Sequence, residues 1–241
     1  IKSGKLGTFD EHGIFPINLL KEDNKILAYT TGWTRRVSVS VDAGIGHAVS
    51  YDNGLTFEKL GDGPILGASI NEPFLVGDAF VKKYNDIYHM WYIHGTKWVT
   101  DNFSKNSERV YKIAHAVSNN GISWQKEGKN IIKDKLNIDE CQALPSVIKI
   151  NNIYHMFFCY RNATDFRGNN EKSYKIGYAS SVDLVSWERD DTKFKLEIID
   201  GEWDSGMQCY PHVFEMDDVF YLLYNGDNFG RFGFGLLKLK F

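Results

Sequence analysis

The sequence lacks the features that mark several large classes of protein. It has no run of about 18 apolar residues, the length that a membrane-spanning helix requires. No segment sustains the apolar period of an amphipathic helix over the ~11 residues of an average helix. Lysine and arginine total 28 against 31 aspartates and glutamates, for a net charge of −3, and they form no basic cluster. These absences predict an all-β protein with no membrane span and no nucleic-acid partner.

Cysteine is also scarce. The three cysteines, Cys141, Cys159 and Cys209, are an odd number and lack the spacing of metal ligands. They favour reduced thiols and hence a reducing compartment such as the cytoplasm. The first residues do not form a signal peptide, but a processed or truncated N-terminus would hide one. A secreted or periplasmic protein therefore stays open as the alternative.

One pair of motifs is repeated four times along the chain. An aromatic-rich segment recurs at steps of 63, 66 and 66 residues, which align Tyr29, Tyr92, Phe158 and Tyr224. A second segment follows each copy, and its versions read IGHAVSYDNGLTF, IAHAVSNNGISW, IGYASSVDLVSW and FGFGLLKL. Self-similarity at a fixed period of this size is typical of repeat architectures.

Each repeat predicts four β-strands. The first strand carries a proline or an aspartate near its middle, and a polar turn leads to an aromatic strand that alternates with a period of about two. The third strand is IGHAVS or a copy of it, and a short fourth strand is anchored by Phe57, Trp124 or Trp187. Four-stranded units repeated radially form a β-propeller. We therefore predict a single domain over residues 1–241, with repeats at about 9–66, 70–133, 139–200 and 203–241.

The number of blades has two interpretations. The chain opens with IKSGKLGTFD, which resembles the tail of a blade, and it ends after a third strand. Propellers close by pairing strands from the two chain ends, because an open sheet edge promotes aggregation. Either four blades close as they stand, or the protein is a five-bladed β-propeller whose first blade is missing or incomplete in this chain. We favour the second interpretation.

Two sets of motifs carry a resemblance to known families. SYDNGLTF at 50–57 has the spacing of the sialidase Asp-box, a structural turn held by Ser50 and Asp52. The shorter copies SNNGISW and SSVDLVSW resemble the five-bladed arabinanase, β-xylosidase, invertase and levansucrase superfamily. The phrases GWTRR, YHMWYIHGTKW and YKIAHAVSNNGISW look most like a group of glycosidase-like propellers within it. The resemblance covers almost the whole chain, and it implies this fold and action on carbohydrates.

Acidic residues near the starts of the first strands are the candidates for chemistry. In a propeller these starts line the central funnel, so acids far apart in sequence meet near one axis. Glycoside hydrolysis needs one carboxylic acid to protonate the leaving oxygen and a second carboxylate to attack or to activate water. The structural alternative is that such acids cap turns. The acids at the four starts are Asp10, Glu11, Glu72, Asp78, Asp139, Glu140, Glu202 and Asp204.

The resemblance implies roles for several of these acids. The superfamily uses an Asp base or nucleophile from the first blade, a second Asp that tunes a pKa, and a Glu acid from a later blade. Glu140, within AspGluCys at 139–141, matches the Glu best, although the proline that follows it in invertases comes only at Pro145. We therefore expect Glu140 as proton donor, with Asp10 or Glu11 as the base. Asp204 is expected in a supporting role.

Substrate-binding candidates follow from sugar chemistry. Sugars stack their apolar ring faces on aromatic side chains and offer hydroxyls to charged or polar partners. Trp33 and Trp98 lie just past the ends of aromatic strands, where binding and core packing are both open. For Arg161 the alternative is a salt link to Glu140. The expected substrate contacts are Trp33, Arg35, Glu72, Asp78, His94, Trp98, Tyr160 and Arg161.

These observations lead to one function and two alternatives. We expect a glycoside hydrolase-like protein that binds a mono- or oligosaccharide in an acidic central funnel and hydrolyses or transfers a glycosyl group. The alternatives are a non-catalytic carbohydrate-binding propeller and a protein-interaction scaffold. The seven histidines show no metal-ligand spacing, so we expect no cofactor and leave open a single ion on the propeller axis. The oligomeric state is also left open.

Overall fold

Four antiparallel sheets make up the computed structural model, which describes residues 1–100, 105–136, 139–194, 196 and 198–240. The first sheet contains β1 (Gly13–Glu22), β2 (Lys25–Arg35), β3 (Val41–Ser50) and β4 (Glu58–Lys59). The second contains β5 (Val76–Tyr84), β6 (Ile87–Thr100), β7 (Ser107–Ser118) and β8 (Gln125–Lys126). The third contains β9 (Glu140–Ile150), β10 (Ile153–Asn162), β11 (Lys175–Ser181) and β12 (Glu188–Arg189). The fourth contains β13 (Cys209–Met216), β14 (Val219–Asn225) and β15 (Phe234–Lys238).

The strands of each sheet follow one another in chain order, each paired with the next. The first strands of successive sheets lie against one another, β1 on β5, β5 on β9 and β9 on β13. Helix in the described residues is limited to a 3₁₀ turn at Asn170–Lys172 and a four-residue segment, α1, at Asp227–Gly230. The sequence prediction of an all-β repeat is confirmed as a four-bladed propeller arrangement, and the fifth blade stays a prediction.

The core lies between neighbouring blades and consists mainly of the aromatic second strands. Trp91 and Phe158 are fully buried between the second and third blades, and Met90 and Tyr92 between the first and second. Phe157 belongs to the cluster between the third and fourth blades. Because successive side chains of a strand point to opposite faces of the sheet, the aromatic strands of the second and third blades contribute to the cores on both of their sides.

The predicted Asp-box is a hydrogen-bonded turn between β3 and β4. The Ser50 hydroxyl donates to Oδ1 of Asp52 (2.7 Å). Asp52 also accepts from the hydroxyl and the backbone N–H of Thr56 (2.6 and 2.9 Å), and these donors lower the pKa of the carboxyl to about 2. The shorter copies use Ser118 with Asn120 and Ser181 with Asp183 in the same way. The hydrogen bonds of these turns are satisfied within the turn itself.

A β-bulge interrupts the first strand of each blade at an equivalent place. The residues there are Phe15, Asp78, Leu144 and Tyr210, which follow one another at steps of 63, 66 and 66 residues. Asp78, Leu144 and Tyr210 have φ angles of 53°, 48° and 59°. The left-handed region costs a non-glycine residue about 1–2 kcal/mol, and bulges of this kind redirect a side chain out of the regular alternation. The bulge therefore gives one side chain per blade a different direction from its neighbours.

A stacked histidine pair in the second blade predicts loss of stability in acid. His89 Nδ1 lies 3.1 Å from His115 Nε2, and burial lowers the pKa of His89 and lowers that of His115 to about 4. Between the unfolded pKa near 6.5 and the folded value, the unfolded chain binds more protons, so stability falls as pH falls through this window. We expect His115 to account for about 2 kcal/mol of the loss between pH 7 and pH 4.5.

Urea unfolding at the two pH values checks this expectation. His115→Gln should lose less stability than the wild type on acidification, and the same change at the exposed His12 should leave the loss as it is. An equal acid loss in the wild type and His115→Gln would contradict the assignment to this pair.

Candidate functional site

A cavity of about 360 Å³ lies where the first strands of the four blades converge. All four bulge side chains, Phe15, Asp78, Leu144 and Tyr210, line it. These four residues occupy the same position in the four repeats, so each blade contributes one side to the cavity. The cavity therefore lies at the centre of the arrangement. Its volume falls within the range of about 300–1,000 Å³ that is usual for small-molecule sites. We call it the axial cavity.

Asp78 is the one carboxyl among the described residues that line the axial cavity. It is half-buried, and burial raises the pKa of its carboxyl to about 6, against the opposing effects of the Leu144 backbone N–H (3.4 Å) and the charge of Arg109. The backbone N–H of Asp78 donates to Thr31 Oγ1 at 2.7 Å, which fixes the bulge against the first blade. A carboxyl with this pKa can hold a proton near neutral pH and give it to a ligand.

Aromatic side chains form much of the remaining lining. Trp33, Phe15 and Tyr210 lie on it, and the rings of Phe15 and Tyr210 meet edge to face with centroids 6.0 Å apart. Trp33 is stacked on His12 at 6.2 Å. Aromatic faces of this kind accept the apolar face of a sugar ring. Trp33 and Asp78 are the two sequence-predicted site residues that the structure brings together in this cavity.

Arg161 lies directly behind the lining rather than in it. Its side chain is 1% exposed, and the guanidinium lies 3.6 Å from the ring centre of Phe166 and 5.3 Å from those of Tyr111 and Tyr174. It donates to the Tyr111 hydroxyl (2.9 Å) and to the carbonyls of Asn162 and Ala163 (2.8 and 3.0 Å). The salt link to Glu140 that the sequence suggested is not formed, because Glu140 pairs with Arg189.

Three of the strand-start acids form ion pairs with the fourth strands of their own blades. Asp10 pairs with Lys59, Glu72 with Lys126, and Glu140 with Arg189 at 2.6 Å. The three cations occupy equivalent positions, two residues after the aromatic anchors Phe57, Trp124 and Trp187. Each acid is at most 1% exposed. These pairs, which we call blade clasps, hold the beginning of each blade against its last strand.

Further hydrogen bonds complete the clasps. The Tyr92 hydroxyl donates to Glu72 (2.5 Å), and the equivalent Tyr224 hydroxyl donates to Asp204 (2.6 Å). The second oxygen of Glu140 accepts the backbone N–H groups of Lys135 and Leu136 (2.8 and 2.9 Å). Asp10, Glu72, Glu140 and Asp204 are therefore bonded within their own blades, and none of them is among the described residues that line the axial cavity.

The remaining predicted residues lie at separate places. Glu11 accepts the Gly7 backbone N–H (2.8 Å) and borders a second cavity together with the exposed Arg35. The buried His94 contacts Asn130 through Nε2 (2.9 Å). Trp98 packs against the core between the second and third blades. Tyr160 is buried beneath the guanidinium of Arg189, 4.3 Å from its ring centre.

Several lining residues were not among the sequence-derived candidates. These are Phe15, Arg109, Tyr111, Tyr174 and Tyr210. The repeat spacing could have identified most of them. Phe15 and Tyr210 occupy the same repeat position as Asp78, and Tyr111 and Tyr174 are 63 residues apart, about one repeat. Arg109 has no such signal, because it lies on the part of β7 that extends beyond the common repeat.

The described residues contain no cluster of three or more His, Cys, Asp or Glu side chains that could hold a metal ion. The expectation of no cofactor stays a prediction. Cys141, Cys159 and Cys209 are buried free thiols. Within the described part of the chain, no helix has the length and apolar character needed to cross a membrane.

Comparisons of sequence give relatives over different parts of the chain. No protein-family model matches it. It is 29% identical over 240 residues to the uncharacterized protein MT1551 of Mycobacterium tuberculosis (strain CDC 1551 / Oshkosh), an alignment that spans 100% of this chain and 76% of that protein. Over 88 residues it is 28% identical to the 1,2-beta-oligomannan phosphorylase of Thermoanaerobacter sp. (strain X514), covering 36% of this chain and 28% of that enzyme.

Solved structures show the same fold. A glycoside hydrolase superposes with a TM-score of 0.73 at 19% identity, over 99% of this chain and 72% of its own. A thermostable family-43 glycoside hydrolase gives 0.70 at 15% identity, over 95% and 72%. A member of the GH130 family of mannoside phosphorylases and hydrolases gives 0.62 at 18% identity, over 88% and 60%. The fold is therefore that of the glycosidase-like β-propellers, as the sequence resemblance implied.

Proposed function

We propose that the protein is a carbohydrate-active enzyme that transfers a glycosyl group in the axial cavity, with Asp78 as the proton donor. The observation that carries this proposal is a carboxyl with a pKa raised to about 6 at the centre of the propeller. Asp78 protonates the glycosidic oxygen as its bond to the anomeric carbon breaks, and an acceptor oxygen forms the new bond to that carbon. Trp33 provides an apolar face for the sugar ring.

The acceptor is water or phosphate. Hydrolysis by the usual routes uses two carboxyl groups, whereas the described lining of the axial cavity contains a single one, that of Asp78. Phosphate is already an anionic nucleophile and needs no base, and Arg109 on the lining suits an anion. The partial similarity to an oligomannan phosphorylase also favours phosphate.

The sequence-derived roles of the other acids stay untested. Glu140 was expected as proton donor, Asp10 or Glu11 as base, and Asp204 in support. In the present proposal Asp10 and Glu140 stabilise their blades as clasp residues, and Asp204 does so through Tyr224.

We further propose that a fifth four-stranded module completes the ring in the native protein. Support comes from apolar side chains that the first and last blades expose. Ile17 and Leu19 of β1 are 45% and 53% exposed, and Phe234 and Leu236 of β15 are 71% and 55% exposed. Apolar faces of this kind usually mark a surface that another element covers.

A screen tests the enzyme against its main alternative, a non-catalytic carbohydrate-binding propeller. The protein is incubated with aryl glycosides and with glycosyl 1-phosphates, with and without phosphate, while calorimetry measures binding of the same compounds. We expect turnover of one class, with a rate that falls as pH rises above about 6, because Asp78 then loses its proton. Binding without turnover across the whole panel would establish the binding protein instead.

A further inference from the structure

The hydrogen bonds of Tyr111 and Tyr174 leave one hydroxyl hydrogen without an acceptor. The two hydroxyl oxygens are 2.7 Å apart, so one hydrogen lies between them. Tyr111 also accepts a hydrogen bond from Arg161 Nη2. Each tyrosine hydroxyl carries a single hydrogen. Of the two hydrogens, one therefore has no acceptor among the described residues, whichever tyrosine donates to the other.

That hydrogen belongs to a buried pair at the wall of the axial cavity. Tyr111 and Tyr174 are 4% and 5% exposed, and both line the cavity together with Asp78. A buried polar group normally has a partner, and one that has none in the protein indicates a missing ligand or water. The pair is therefore able to donate one hydrogen bond to a ligand in the cavity.

The charges around the cavity favour an anionic ligand. Arg161 is a fully buried cation, and no ion pair joins it to a carboxylate in the described part of the chain. Buried charges are normally paired, and aromatic rings offset this one only in part. Arg109 lines the cavity itself, and its partner Glu108 is 3.7 Å away. One guanidinium, that of Arg109, thus lies on the lining and a second, that of Arg161, lies behind it, whereas Asp78 is the one carboxyl among the described lining residues.

We propose that Tyr111 and Tyr174, with Arg161 behind them and Arg109 beside them on the lining, form a phosphate subsite of the axial cavity. Phosphate has several acceptor oxygens, so it can accept from a hydroxyl and a guanidinium at once. The proposal rests on the proposed function in that phosphate is the glycosyl acceptor. A phosphate oxygen attacks the anomeric carbon, the glycosidic C–O bond breaks, and the leaving oxygen takes the proton of Asp78. In the reverse direction the same subsite holds the phosphate of a glycosyl 1-phosphate.

Titration calorimetry with inorganic phosphate at fixed ionic strength tests the subsite without requiring turnover. The wild type is compared with Tyr111→Phe and Tyr174→Phe, which remove a hydroxyl and keep the ring. The matched control is Tyr178→Phe, since the Tyr178 hydroxyl is buried against His155 (2.6 Å) and lies outside the cavity. We expect saturable binding by the wild type, weakening of at least tenfold in one or both cavity variants, and no change in the control.

The arms of the experiment separate the possible outcomes. Glucose 1-phosphate and mannose 1-phosphate are titrated beside glucose and mannose, and binding of a sugar phosphate without binding of free phosphate supports the subsite with the glycosyl phosphate as its source. No saturable binding of any phosphate by the wild type overturns the proposal, as does equal weakening in Tyr178→Phe. Phosphate binding that depends on Tyr111 or Tyr174, combined with no turnover in the glycoside screen, supports the subsite and overturns the enzyme function.

Discussion

Replacing Asp78 by asparagine is expected to reduce turnover by about 10²–10⁴-fold, the usual contribution of a positioned general acid. Asparagine keeps the shape of the side chain and has no proton to give to the leaving oxygen. The measurement is kcat/KM on a substrate found in the screen, from pH 5 to pH 8. The wild-type rate should fall above about pH 6, and the residual rate of the variant should lack this decline.

The same variant is expected to be more stable than the wild type at pH 7. The folded pKa of Asp78 is raised from 3.8 to about 6, so the folded state binds the proton more tightly and stability falls as pH rises through this window. Asparagine removes this charge, which is worth up to about 2 kcal/mol at neutral pH after allowance for partial exposure. Urea unfolding at pH 7 and pH 4 should show the difference shrinking in acid.

Two results would contradict the role of Asp78. Full activity in the variant would exclude Asp78 as the donor, and loss of both activity and stability would indicate a structural side chain. Asp62→Asn is the control, because Asp62 forms an exposed ion pair with Lys5 and lies away from the axial cavity. Solvent screens an exposed pair of this kind, so this control should change neither measurement much.

Replacing Glu140 by glutamine is expected to destabilise the protein by about 3 kcal/mol, because it removes the charge that compensates a buried guanidinium. The Arg189 side chain is 6% exposed, and the change takes one of its carboxylate partners away. Both oxygens of Glu140 now accept hydrogen bonds, one from the Arg189 guanidinium and the other from the backbone N–H groups of Lys135 and Leu136. The amide NH₂ group of glutamine would replace one of these oxygens and cannot accept from the donors that face it. The free energy of unfolding in urea measures the loss.

This variant also decides between the two assignments of the proton donor. If Glu140 is instead the proton donor that the sequence resemblance implies, Glu140→Gln should abolish turnover and leave the fold intact. Glu72→Gln is the matched variant, since Glu72 forms the equivalent clasp with Lys126 and should lose a similar amount of stability. Abolished turnover at unchanged stability in Glu140→Gln alone would restore Glu140 as the donor. A double variant with Arg189→Gln should lose less stability than the two single changes added together.

The fold was predictable because its repeats are visible as a period in the sequence. Tyr29, Tyr92, Phe158 and Tyr224 align at almost constant steps, as expected for units that each pack against a similar neighbour. Strand order within a blade followed from the short polar turns. The cations of the blade clasps also show a regular pattern in the sequence, since Lys59, Lys126 and Arg189 each follow an aromatic anchor by two residues. Their pairing with the acids about 50 residues earlier became visible only in the structure.

The site was predictable only in part, because ion pairing decides which acid is free to act. Asp78 and Glu140 both lie near the beginning of a blade, yet one lines the axial cavity and the other is paired with Arg189. The difference comes from the bulge, which directs Asp78 away from its own blade. An acid at that position stands out once it is aligned with Phe15, Leu144 and Tyr210, which are all apolar or aromatic.

The bulge position also accepts side chains of different chemistry without a change in the fold of the blade. Asp78, Leu144 and Tyr210 have nearly the same positive φ angle, although their side chains are an acid, an aliphatic group and a phenol. A propeller of this design can therefore acquire a new ligand preference by a single substitution per blade, leaving the packing between sheets undisturbed. Diversification among duplicated modules would then concentrate at this one register.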